Sequence, residues 1–143
     1  MAAITVTSLN VRPANAHQCI LRPLQAGAAC TVGYAIYLDS SGYMQHADAN
    51  AGETEASGVG IIVESYDGET SIASGKRGSV CILGPVEGFS GMTPNEPIYV
   101  STTAGRLDQT APTGGAYQRA IGWALSATCI FVNADPTDPE SVS

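Results

Sequence analysis

The chain has 143 residues, with six Lys or Arg against thirteen Asp or Glu and a formal net charge of −7. The cations are dispersed, only Lys76 and Arg77 being neighbours, so the chain lacks the basic stripe that nucleic acid or an anionic membrane surface requires. Charged residues make up 13% of the chain, about half the usual share, and a chain this long buries roughly two-thirds of its unfolded surface; one domain is expected, with a core that needs no metal or disulfide.

Residues 1–7 lack the basic start and unbroken apolar stretch of a signal peptide, and no run reaches membrane-spanning length. Ile4, Val6, Leu9 and Val11 then alternate with polar residues, with a slip of one at Ser8. That pattern predicts a strand with a bulge or an extended arm over residues 1–17, able to pair with its own sheet or to add to a neighbour's edge.

At Cys19-Ile20-Leu21-Arg22-Pro23 begins a phrase that returns sixty-two residues later as Cys81-Ile82-Leu83-Gly84-Pro85. The same interval carries Thr31 onto Thr93, Ile36-Tyr37 onto Ile98-Tyr99, Ala49 onto Ala111, Gly52 onto Gly114 and Gly60 onto Gly122. Self-similarity at one fixed interval marks a duplicated supersecondary unit. The repeat spans residues 18–67 and 80–132 of a single β domain, 18–132. Each phrase reads as a strand that leaves its sheet, or becomes an edge, at the proline, where a ladder donor is missing.

Residues 30–38 are rich in β-branched and aromatic side chains and predict a strand, followed by a hairpin turn at Asp39-Ser40-Ser41-Gly42 and a short return at 43–46. The small, acidic stretch 47–57 reads as a solvated loop, and 58–64 as a buried strand. Residues 71–73 are a brief strand, 74–78 a hairpin tip, and 88–96 a loop. In the second unit, 97–100 is the mate of the first unit's central strand, 106–108 runs back, 117–125 is one long strand and 128–132 a closing one. The tail 133–143, acidic and broken by proline, is expected to be disordered. No stretch shows helical apolar spacing, so the fold class is all-β: a small barrel or sandwich built from two sequence-related halves.

Candidate chemistry fails residue by residue. His46 and Asp48, with Glu53 and Glu55 behind them, have ligand-type side chains, but no second histidine converges on them. Gly75-Lys76 is followed by Arg77 rather than Ser or Thr, and Ile72 stands where a phosphate loop needs its first glycine. Gly58 and Gly60 lack the third glycine of a dinucleotide fingerprint. His17 and His46 lie in connector or edge segments, giving a nucleophile little to work with. The four cysteines sit among apolar neighbours and read as buried free thiols. Trp123, Tyr34, Tyr37 and Tyr99 form either a sugar-stacking platform or, as their repeat-related placement favours, core and interface packing. No catalytic, cofactor-binding or metal residue is assigned.

The run Pro97-Ile98-Tyr99-Val100, a turn with Gly105-Arg106-Leu107, then Ala120-Ile121-Gly122-Trp123-Ala124-Leu125 and a closing apolar strand resembles the small decoration (cement) proteins of tailed-bacteriophage capsids. A looser copy runs through Ala35-Ile36-Tyr37-Leu38, Gly42-Tyr43-Met44 and Val59-Gly60-Ile61-Ile62. The resemblance implies a non-enzymatic β protein without cofactor, made in the host cytoplasm, that clamps major capsid protein subunits on the outside of the assembled head. It also implies a homo-oligomer, a trimer in most such proteins. Ile4, Val6, Leu9 and Val11 are the candidate subunit contacts. A carbohydrate- or host-binding module of a virion, or a tail component, are the alternatives.

Overall fold

The structure, a computed structural model, describes residues 4–134 together with 140 and 141. In chain order its strands are β1 (Thr5–Val6), β2 (Arg12–Pro13), β3 (Ile20–Gln25), β4 (Cys30–Thr31), β5 (Ala35–Leu38), β6 (Met44–His46), β7 (Gly60–Ser65), β8 (Ser71–Ile72), β9 (Arg77–Glu87), β10 (Phe89–Ser90), β11 (Pro97–Val100), β12 (Leu107–Asp108), β13 (Tyr117–Gln118), β14 (Ala120–Ala124), β15 (Cys129–Asn133) and β16 (Glu140–Ser141). The chain is nearly all β, its main sheet curled into a half-barrel. That sheet runs β12-β11-β14-β15-β9-β7-β5-β6, and β2 and β3 also pair with β9. Ile36, Ile62, Val80, Ile98, Ile121 and Ile130, all fully buried, come from six of its strands. Each contributes about 1.5–3 kcal/mol of burial relative to exposure.

The sixty-two-residue interval carries hydrogen-bonded partner onto partner. Ile36 pairs with Gly60 as Ile98 pairs with Gly122. Gly33 N–H donates to Ile62 O (2.8 Å) and Ile62 N–H to Tyr34 O (3.1 Å), as Asn95 N–H donates to Ala124 O (2.8 Å) and Ala124 N–H to Glu96 O (3.0 Å). Gly33 and Asn95 both adopt positive φ, 93° and 75°, and asparagine is the side chain that best tolerates that region. The left-handed bend at Gly33 also divides the strand expected over 30–38 into β4 and β5.

Both phrase prolines lie within strands rather than ending them. Alternate residues of an antiparallel ladder turn their polar backbone groups to the same side. Ala26 N–H donates to Lys76 O at 2.8 Å, so Pro23, three residues earlier in the same register, turns its nitrogen away from β9. Pro85 O accepts from Ala14 N–H at 2.9 Å, so that residue's nitrogen faces the segment before β3 and not β15. In each copy the missing donor falls outside the ladder, and the strand continues.

The N-terminal segment is no free arm. β1 pairs with β10, inside the loop expected over 88–96, and β2 pairs with β9. Ile4 and Val11 are buried at 2% and 6% exposure, Val6 packs partly against the core, and Leu9 alone of the four stands free at 84%. Arg106 Nη2 donates to Ile4 O at 3.1 Å, tying the segment to the second half of the chain. The long strand expected over 117–125 is broken at Arg119, its first part, β13, pairing with β16. Within the tail expected to be disordered, Glu140 and Ser141 form β16; 135–139 and 142–143 lie outside the described residues.

The repeat mates Gly60 and Gly122 are glycines for one reason: close approach of a neighbouring backbone. A Cβ at Gly60 would stand 2.5 Å from Cys81 O, and one at Gly122 would press on Phe131 O. Gly60→Ala and Gly122→Ala are each expected to destabilise by about 1–3 kcal/mol, read as a lower urea midpoint. Two unchanged midpoints would contradict this strand spacing.

Candidate functional site

Strand alternation gives the half of the sheet that contains β11, β14 and β15 one apolar face inward and a second outward. Ile98, Ile121, Ile130 and Val132 point into the core. On the opposite side, in-register pairing sets Pro97 beside Trp123, Trp123 beside Phe131, and Phe131 beside Pro85. The Trp123 and Phe131 rings stand 5.6 Å apart with planes tilted by 31°. Trp123 keeps 38% of its surface exposed and Leu125, next on the same face of the chain, 41%. The side chains at 61–63 in β7, by contrast, are buried on both faces.

Of the other exposed apolar side chains, which include Ile20, Leu38 and Tyr66, Leu9 is the most exposed and stands at the rim of an open groove of about 370 Å³ lined by Val11, Leu21, Val63, Glu64 and Glu69 among others. Of the four contact residues expected from the sequence, the structure places Ile4 and Val11 inside the molecule and brings only Leu9 to a surface a partner can reach. The Trp123 row was missed as a unit. Its signal was the alternation in Ala120-Ile121-Gly122-Trp123-Ala124-Leu125, which puts Trp123 and Leu125 opposite Ile121.

His46 lies in β6, the last strand in the order of the main sheet and so an edge segment as expected, and it is half-buried. Its Nε2 accepts the Thr31 N–H at 3.0 Å, which places the ring proton on Nδ1. Its ring lies 4.9 Å from that of Tyr34, and the Arg106 guanidinium sits 5.7 Å from the other ring's centre. Asp48 does not turn toward the histidine; its carboxylate accepts the Asn50 N–H at 2.9 Å. Among the described residues, no group of three or more His, Cys, Asp and Glu is placed to hold a metal ion. The site consists of an outward aromatic row and a histidine whose acceptor nitrogen is already used. No protein-family model matches the chain, and no curated protein matches it.

Burial holds the His46 pKa below its usual value. A folded-state pKa below the unfolded one means stability is full above the unfolded value and is lost as pH falls through the folded one. Asp39 acts in the same sense lower down: hydrogen bonds from the Gln45 side chain and the Tyr43 N–H hold its carboxyl below the usual range. Thermal stability is therefore expected to fall on acidification below about pH 6.5. His46→Gln, which keeps an acceptor without titrating, should flatten the first part of that fall. A variant profile that overlays the wild type would exclude His46 as the cause.

Proposed function

We propose that this chain is a structural virion protein: a decoration protein that binds the outside of an assembled phage head and holds neighbouring major capsid protein subunits together. The observation that carries the reading is the run 97–132, whose residues resemble cement proteins and which folds into β11, β12, β14 and β15 with Trp123, Phe131 and Leu125 on the outer side. An aromatic cluster on an outward sheet face is the usual make-up of an interface core. The acidic balance of the chain, −7, suits a protein that is to stay on the shell and away from packaged nucleic acid. A homotrimer sitting where three capsid subunits meet is the arrangement the resemblance favours, each contact burying on the order of 800 Å² per partner.

The Leu9 groove is the second contact region in this reading. It takes over the role expected of an extended arm, because Ile4 and Val11 are committed to the protein's own core. A glycan-binding module would need Trp123 exposed beside Asp or Asn; its cross-strand neighbours are Pro97 and Phe131.

A protein that binds only the assembled state stabilises it by mass action, by about 2.7 kcal/mol per site at a hundredfold excess over Kd. Purified protein added to expanded heads is expected to raise their disassembly temperature, and to sediment with them. Trp123→Ala should cost on the order of 2 kcal/mol of binding if that side chain is a hot spot, and Leu9→Asp should also weaken it, each with an unchanged circular dichroism spectrum. Absence of binding at saturating concentration rejects the proposal.

A further inference from the structure

The two copies of the Cys-Ile-Leu-x-Pro phrase are hydrogen-bonded to one another. Leu21 pairs with Cys81 and Ile20 with Leu83, the ladder skipping Ile82. Cys19 is extended, φ −109° and ψ 136°, and stands two residues before Leu21, so it projects from the face of the sheet that carries Cys81. Both sulfurs gather at one corner of β9. Cys81 Sγ lies 3.8 Å from Gly84 O, and Cys19 Sγ donates to Pro85 O at 3.1 Å. A Cβ on Gly84 would meet Cys19 Sγ at 3.0 Å, so the glycine leaves the space that the thiol fills. The Cys19 thiol stands near enough to Cys81 to raise its pKa electrostatically. Cys81 is buried, Cys19 is partly open to solvent, and all four cysteines are reduced.

We propose that Cys19 and Cys81 form a redox pair, in which a hydroperoxide converts the two thiols to a disulfide joining the start of β3 to the middle of β9. The exposed member reacts first: Cys19 sulfur attacks the peroxide, its O–O bond breaks, an alcohol or water leaves, and Cys19 becomes a sulfenic acid. Cys81 sulfur then attacks Cys19 sulfur, the S–O bond breaks, and water leaves. The two sulfurs together lose two electrons, which reduce the peroxide. Burial pushes the Cys81 thiol up to about 12, so the closing step is slow at neutral pH and accelerates in alkali, where thiolate forms. Of the other two thiols, Cys30 is engaged elsewhere, its Sγ donating to Ala28 O at 3.3 Å. Cys129, on β15 opposite Glu87, stands near enough to Cys19 to act on it electrostatically and is the competing partner.

The test is peptide mapping of the intact chain treated with hydrogen peroxide at neutral and alkaline pH, then alkylated. The expected product has lost two hydrogens, contains one peptide cross-link between Cys19 and Cys81, forms faster at higher pH, and reverts with a thiol reductant. Cys30→Ser and Cys129→Ser should leave the cross-link intact, and Cys19→Ser should abolish it. Over-oxidation of Cys19 to sulfinic or sulfonic acid without a cross-link, or a link that uses Cys30 or Cys129, would overturn the proposal; the wild-type map decides this without any variant having to fold.

Discussion

Backbone pairing along β9 is the interaction on which the rest of the molecule depends. Its residues 78–81 pair with β7 and its residues 83–87 with β15, while β3 and β2 take further positions along it. Each pairing satisfies backbone groups that would cost free energy if buried alone. A chain with so few charges has little else to fix its register, and its Arg12–Glu87 ion pair, 3.1 Å long but solvent-exposed, contributes little. The β-branched and small residues along β9 let strands approach from several directions, and bulges absorb the mismatch where β3 and β7 shift register against it.

Much of this was legible in the residues. Turn chemistry located the Asp39–Gly42 hairpin, where the Asp39 carboxylate accepts from Ser41 and Tyr43 N–H groups. The sixty-two-residue interval picked out Ile36 and Ile98, Gly60 and Gly122, which occupy matching places in the ladders. What the pattern could not supply was direction. Alternation in Ile4, Val6 and Val11 identified an apolar edge, but whether that edge meets the chain's own core or another molecule depends on distant residues such as Phe89 and Arg106. Proline likewise marks a missing donor without saying which side of the strand lacks it. At Pro23 and Pro85 that side is the one away from the ladder, and the strand continues; β3, paired with β9 alone, is the edge that was the other expectation. The edge position of His46 was legible but its partner was not: the Thr31 N–H is brought to it by the bend of the chain at Gly33.

The two ends of the curled sheet differ in how they treat the outer face. Around β7 the packed N-terminal segment helps bury side chains on both sides of the sheet. Around β11, β14 and β15 no segment among the described residues covers the corresponding row, and Trp123 and Leu125 remain at the surface. Exposed apolar groups are nonetheless found in both halves, Leu9 and Tyr66 standing out from the first.

The use of one strand by both sheet arms also bears on how the molecule comes apart. Severing the backbone between residues 81 and 83 would leave the β7 ladder on one fragment and the β15 ladder on the other, but it would split the β3 ladder and part β2 from its partners at 86 and 87. The N-terminal strands therefore tie the two sequence copies together across β9. Loss of order should accordingly be all-or-none, with the first opening of β9 exposing apolar surface from both ends of the sheet at once.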